Sequence, residues 1–180
     1  RFCQVTGVQT CALPISEKKV GEILTKGDNL MLGYYKNEKA TKETFTEDGW
    51  LKTGDLGTLD KDNFVFIKGR DKYMILGPSG QNIYPEEIEE KLNASPFINE
   101  ALAIEENKKI VALIVPDKDA LTEEGIVEEQ LPVFFQEIID EINTKLHAYG
   151  KIASFRLRDE EFEKTPKRSI KRFLYLPKQT

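Results

Sequence analysis

Residues 67–89 read IKGRDKYMILGPSGQNIYPEEIE. The stretch leaves an apolar run through Gly69-Arg70 and crosses a charged trio, Arg70-Asp71-Lys72. A short apolar piece, Tyr73 to Leu76, leads into a loop with two glycines and a proline. Segments 73–76 and 82–84 are placed to pair across GPSGQ. Pro85 suits the first turn of a helix, and Glu86 and Glu87 behind it favour the positive end of the helix dipole. Ile88 and Leu92 lie four apart on one face of that helix. The chain therefore changes character here, from β-rich before Arg70 to mixed strand and helix after it.

Working back from Arg70, the pattern is strands and turns. Val20 to Thr25 predicts a strand and KGDN a turn. Asn37 is placed to cap a short helix over Glu38 to Phe45. EDGW is a turn, and WLKTGD a short strand followed by a loop. Thr58-Leu59 and Phe64 to Ile67 are the arms of a hairpin that turns at Asp60 to Asn63. Working forward, residues 98–117 predict a hairpin turning at Glu106 to Lys108. Its second arm, Ile110 to Val115, is apolar throughout, as a central strand would be. Phe135, Ile138, Ile139, Ile142, Leu146 and Tyr149 form a helical stripe, with Gly150 as its C-terminal cap. FRLRD, from Phe155, is one more short strand. The fold class expected is α+β: residues 71–180 form a small α+β domain. Residues 16–70 are the β-rich end of a larger one.

Composition narrows the function. The 180 residues are 39% apolar and 32% charged, with a net charge of −5. The chain is too charged for a spanning helix of roughly 18 apolar residues. Its acidity argues against nucleic-acid binding, which needs a basic surface. Both cysteines, Cys3 and Cys11, fall near the start. Val5 to Ile15, VTGVQTCALPI, is the peptide that a common short-read sequencing adapter encodes. Residues 1–15 are accordingly expected to be foreign, and the remainder to be the C-terminal part of a longer protein. Dropping Arg1 takes the charge from −5 to −6. The absence of cysteine after Ser16 suits a reducing cytoplasm.

Taken singly, the candidate chemical groups have ordinary readings. Asp55 in KTGD is either a carboxylate for vicinal hydroxyls or a turn residue bonding its own backbone. Arg70 and Lys72 are an anion site or a solvated face. The Gly77 to Asn82 loop is a phosphate cradle or a hairpin tip, and it lacks the Lys-Ser/Thr of a nucleotide P-loop. In TPKRSIKRF a basic tail is usually solvated; if it is extended, Lys167, Ser169 and Lys171 face one way. Asp60 to Asn63 lacks the Gly and Glu of a calcium loop. His147 reads as a surface residue. No metal cluster is expected.

The order and spacing of these segments say more. GEILTKGDNLMLGYYKNEKAT, GWLKTGD, GRDKYMILGPSGQNIYPEEIE and EKTPKRSIKR together resemble the C-terminal part of the AMP-forming acyl-CoA synthetases, of the adenylate-forming superfamily. The resemblance covers about residues 20 to 175. GPSGQNIYPEEIE looks most like the long-chain fatty acid ligases. The resemblance implies a two-step reaction with fatty acid, ATP and coenzyme A as small-molecule substrates. Carboxylate attack on the α-phosphate gives acyl-AMP and pyrophosphate, and the coenzyme A thiol then displaces AMP. A mobile C-terminal domain swings between the steps.

Site roles follow from the same resemblance. Asp55 matches the ligand of the ribose hydroxyls and Arg70 a nucleotide-contacting Arg. Lys72 falls at the hinge. The loop with Gly77 and Gly80 matches the hairpin that lines the pantetheine channel. The family's adenylation Lys falls on Ser169 here, which leaves Lys167 or Lys171 to serve. The Mg²⁺-binding Glu and the phosphate loop of the family are expected upstream, so residues 16–180 alone are expected to be inactive. A fatty acid substrate implies work near membranes, although no lipid anchor or basic amphipathic helix is visible. Two rival readings stay open: an adenylating enzyme that loads a carrier protein, and a non-catalytic α+β binding module.

Overall fold

The computed structural model describes residues 8–13, 20–62, 64–78 and 80–177. The chain divides into two compact units, Arg1–Met74 and Ile75–Thr180.

The first unit is an antiparallel sheet in the order β1 (Val8–Leu13), β2 (Gly21–Gly27), β3 (Leu51–Leu59), β4 (Val65–Arg70). β1 lies inside the segment expected to be foreign, whose residues 1–7 and 14–15 fall outside the described residues. Pairing with β2 asks only for backbone donors and acceptors, which any extended segment offers to an open edge. Helix α1 (Glu38–Thr44) starts where Asn37 Oδ1 accepts the Ala40 N–H at 3.1 Å. The β3–β4 turn is held by Asp60 Oδ1, which accepts from Asp62 N–H (2.9 Å) and Phe64 N–H (2.8 Å). One expectation is corrected. Residues 51–59 are a single strand rather than a strand and a loop, because KTGD is absorbed as a bulge within the ladder.

The second unit is α+β. Its sheet runs β7 (Ile98–Glu106), β8 (Lys109–Pro116), β9 (Ile152–Leu157), the first pair antiparallel and the second parallel. Asn107 and Lys108, at φ +50° and +60°, make the two-residue turn whose twist matches a hairpin. β8 is central, and Ile110 to Val115 are all buried. A strand covered on both faces has no polar side, which explains the unbroken apolar run. On one face Ala101, Ala103, Ala112 and Ile114 share a core with Ile88 and Leu92 of α2 (Pro85–Asn93). Phe135, Ile139 and Ile142 of α4 (Leu131–Thr144) complete that core. On the other face Leu102, Ile104, Val111, Leu113 and Val115 lie under Phe162, Ile170 and Tyr175.

Two features of this unit differ from expectation. α4 ends at Thr144, well before Gly150. Asn143 draws the chain away: its amide donates to Ile152 O (3.0 Å) and its Oδ1 accepts the Ile152 N–H (2.8 Å), which starts β9. An unanticipated helix, α3 (Lys118–Glu124), follows β8.

Candidate functional site

In the first unit the chemistry gathers on the β3 bulge. Register passes from Leu24↔Lys52 to Glu22↔Leu56, so Thr53 to Asp55 stand opposite Ile23 alone. Thr53 Oγ1 donates to Ile23 O (2.7 Å) and accepts the Asp55 N–H (3.0 Å). Gly54 sits at φ +71°, a conformation costly to side-chain-bearing residues, and its N–H donates to Glu22 Oε1 at 3.2 Å. Bulges re-aim the residues that follow them. Here Asp55 is turned to face its register partner Arg70, with Nε 2.8 Å from Oδ1. The carboxylate remains about 29% exposed and the guanidinium 51%, so both are open to a ligand. Lys72 lies just beyond, in the 3₁₀ turn Asp71–Tyr73, with its ammonium 4.7 Å from the Tyr73 ring centre.

In the second unit two hairpins carry the remaining candidates. The first pairs β5 (Ile75–Leu76) with β6 (Asn82–Ile83). Gly77 N–H donates to Gln81 O (2.8 Å), and Gly80 N–H to Gly77 O (2.9 Å). Gly80 has φ +81°. Beside the tip is a cavity of about 270 Å³ whose lining includes Gly77, Gln81, Lys108, Lys109, Tyr149 and Lys151. Gln81 Oε1 is buried there with no hydrogen-bond partner among the described residues. Glu105 is the acidic member of the same lining.

The second hairpin is EKTPKRSIKR, and it corrects the extended reading of that segment. Lys171 N–H donates to Glu163 O (2.7 Å) and Thr165 N–H to Ser169 O (2.8 Å), around a bridge between Lys164 and Ile170. Arg168 N–H closes the turn onto Thr165 O at 2.8 Å, and Arg168 takes φ +61°. Pro166 fixes the first corner of that turn. Lys167, Ser169 and Lys171 therefore do not alternate along one strand face. Lys167 is exposed at the tip. Lys171 Nζ is 3.1 Å from Glu163 Oε2.

The last residue of this segment was expected in a solvated tail and is not there. Arg172 is only 7% exposed. Its guanidinium donates to Glu89 Oε1 (2.8 Å), Glu89 Oε2 (2.7 Å) and Ala103 O (3.0 Å), while Glu89 Oε1 accepts the Ala103 N–H (2.7 Å). Burial pushes the Glu89 carboxyl above its ordinary range, against the opposing pull of Arg172. Nothing in the sequence signals a pair 83 residues apart. His147 stacks on Tyr149 at 5.3 Å, and among the described residues no group of three or more His, Cys, Asp or Glu is placed to hold a metal.

The second unit coincides with a known domain. The profile of the AMP-binding enzyme C-terminal domain matches residues 72–177. The chain belongs to that family. The long-chain-fatty-acid–CoA ligase FadD15 of Mycobacterium tuberculosis is 45% identical over 101 residues, 56% of this chain and 17% of that protein. The sulfoacetate–CoA ligase of Cupriavidus necator is 47% identical over 91 residues, 51% of this chain and 18% of that protein. Among solved structures, the o-succinylbenzoate CoA synthetase of Bacillus subtilis, in complex with its acyl-adenylate intermediate, superposes with a TM-score of 0.73 at 28% identity. That match covers 97% of this chain and 34% of the synthetase. The chain thus matches less than a fifth of the length of the two ligases, and its relatives are acyl-CoA ligases of the adenylate-forming type.

Proposed function

We propose that the chain supplies the nucleotide-gripping strand pair and the C-terminal domain of an AMP-forming long-chain fatty acid–CoA ligase. The observation that carries this reading is the Asp55–Arg70 pair. A carboxylate accepts two O–H donors at once, which suits the 2′- and 3′-hydroxyls of a ribose. A guanidinium alongside supplies fixed donors for ribose or phosphate oxygens. Arg70 also keeps the carboxylate from rotating away, so the hydroxyls meet a prepared acceptor.

Lys167 is assigned the adenylation role. Its ammonium has no ion-pair partner among the described residues, whereas Lys171 is neutralised by Glu163. A cation at a hairpin tip can be brought to the α-phosphate, where negative charge grows as the carboxylate attacks. The glycine hairpin and the cavity with Lys108, Lys109 and Lys151 suit coenzyme A. Glycine admits the thin pantetheine arm, and ammonium groups attract its phosphates. Mg²⁺ neutralises the phosphates of ATP when bound. Among the described residues no group of three or more His, Cys, Asp or Glu is placed to hold it.

The long-chain assignment is supported by the FadD15 likeness and by the GPSGQNIYPEEIE segment. A reducing cytoplasm, with contact to membranes through the substrate alone, is the setting proposed. The test uses the full-length gene product that contains this sequence. Carboxylate-dependent ATP–pyrophosphate exchange is measured with palmitate, hexanoate, sulfoacetate and o-succinylbenzoate. Palmitate should give the highest kcat/KM. A lead for sulfoacetate or succinylbenzoate overturns the chain-length reading, and no exchange with any acid overturns the enzyme reading. Residues 16–180 alone should give no exchange.

A further inference from the structure

We infer that the buried Glu89–Arg172 pair is a positioning device. It fixes the Glu163–Lys171 hairpin, and with it the aim of Lys167; the catalytic part of this inference rests on the reading under Proposed function. Three observations carry it.

The first is chemical. A buried, two-pronged ion pair is an expensive way to fill space, since apolar residues of similar volume often serve as well or better. What a guanidinium–carboxylate fork supplies that a leucine cannot is a defined geometry.

The second is where the pair sits. Among the described residues β7 is an edge strand, paired with β8. The Ala103 N–H and C=O both point away from β8, and Glu89 and Arg172 satisfy one each. At Ala103 the pair thus does for the edge of β7 what a further strand would.

The third is what the pair holds. Arg172 follows Lys171, the last residue of the hairpin ladder. At the other stem, the Phe162 N–H donates to Glu100 Oε2 (3.0 Å), and Lys164 pairs with Glu100 Oε1. Glu100 and Ala103 are both on β7, roughly 10 Å apart along the strand. The hairpin is therefore clamped at both stems to one rail, with Lys167 at the free tip. Glu89 belongs to α2, which begins two residues after the glycine hairpin ends at Ile83. One contact fixes the hairpin assigned to acyl-AMP formation against the helix that carries the hairpin assigned to thioester formation.

The test uses Arg172→Lys and Glu89→Gln in the full-length protein. Lysine keeps the charge but cannot reach both carboxylate oxygens and Ala103 O together. Glutamine still accepts the Ala103 N–H but withdraws the charged partner. Each half-reaction is measured separately: acyl-AMP formation from palmitate and ATP, and thioester formation from supplied palmitoyl-AMP and coenzyme A. A misplacement near 1 Å costs about 100-fold in rate. The expected result is a fall of about 10- to 100-fold in kcat for acyl-AMP formation, KM for ATP within about 3-fold, and thioester formation within about 3-fold. A parallel fall in both steps marks a merely structural pair and overturns the inference, as does adenylation unchanged within about 2-fold. Amide hydrogen exchange gives a second readout that needs no activity. Exchange at residues 163–171 should accelerate at least about 10-fold while α4 is unchanged; equal exchange in variant and parent overturns the clamp. A parent protein that makes no acyl-AMP defeats the proposed function, and the clamp is then decided by exchange alone.

Discussion

Asp55 and Arg70 are register partners across β3 and β4, and a 2.8 Å contact joins Oδ1 to Nε. The pair is half-open to solvent, so its worth to folding is small, about 0–1 kcal/mol. Its worth to a ribose is larger. Hydrogen bonds to a charged group contribute about 1.5–3 kcal/mol, which is about 10- to 100-fold in affinity. Asp55→Asn should therefore raise KM for ATP by about that factor in the full-length protein, with the thermal midpoint nearly unchanged. A midpoint that collapses together with activity would show that the pair is a structural strut.

The two lysines of the C-terminal hairpin should separate cleanly. Lys167 is exposed at the tip; Lys171 is bound to Glu163. Removing a cation that acts only in the transition state costs about 100- to 1000-fold. Lys167→Ala should lose that much in the rate of acyl-AMP formation, and Lys171→Ala less than about 10-fold. The reverse order would mean that the Glu163 contact opens when ATP binds and that Lys171 is the acting residue.

How far the sequence reached depends on the range of each interaction. Hairpins and the first cap were legible because their signals are local: Asn37 three residues before Ala40, and an apolar run from Ile110 to Val115 that demands burial on both faces. α3 was equally local, with Asp117 accepting from Asp119 and Ala120 and with Gly125 left-handed at φ +77°. Its signature is PDKDALTEEG, an Asp cap, a helical run and a terminal Gly. The end of α4 was not legible, since Asn143 spends its side chain on Ile152 rather than on its own helix. The Asp55 bulge was read as a loop because Gly54 breaks strand propensity, while Thr53 restores the ladder through its side chain. Glu89 and Arg172 were beyond reach: they lie 83 residues apart, Arg172 in a segment expected to be a solvated tail, and only the fold brings them together.

The glycine hairpin makes a prediction of its own. Gly80 has φ +81°, and a Cβ built there meets nothing within 4 Å. The cost of Gly80→Ala is therefore conformational rather than steric, about 1–2 kcal/mol for a left-handed L-residue. At Gly77 a Cβ would lie 3.2 Å from Gln81 O, so Gly77→Val should open the tip. Both variants should slow thioester formation from supplied acyl-AMP while leaving acyl-AMP formation close to that of the parent. Loss of the first half-reaction instead would detach this hairpin from coenzyme A.

Glu89 and Glu161 should move stability with pH in opposite directions. The hydrogen bond and charge of Lys164 hold Glu161 below its ordinary value of 4.5. Its contribution is present above pH 4.5 and is lost as pH falls through the lowered folded pKa. Glu89 is raised above 4.5, chiefly by burial. Between 4.5 and that raised value the folded state keeps a proton that the unfolded chain has released, so stability falls as pH rises through the window. Urea unfolding of the parent, Glu89→Gln and Glu161→Gln at a series of pH values reads both. The parent's advantage over Glu161→Gln should shrink as pH drops below 4.5. Its advantage over Glu89→Gln should shrink as pH climbs above 4.5 and then level off. An advantage over Glu89→Gln that grows across that window would mean that Arg172 outweighs burial, and that Glu89 is folded in as a carboxylate at every pH tested.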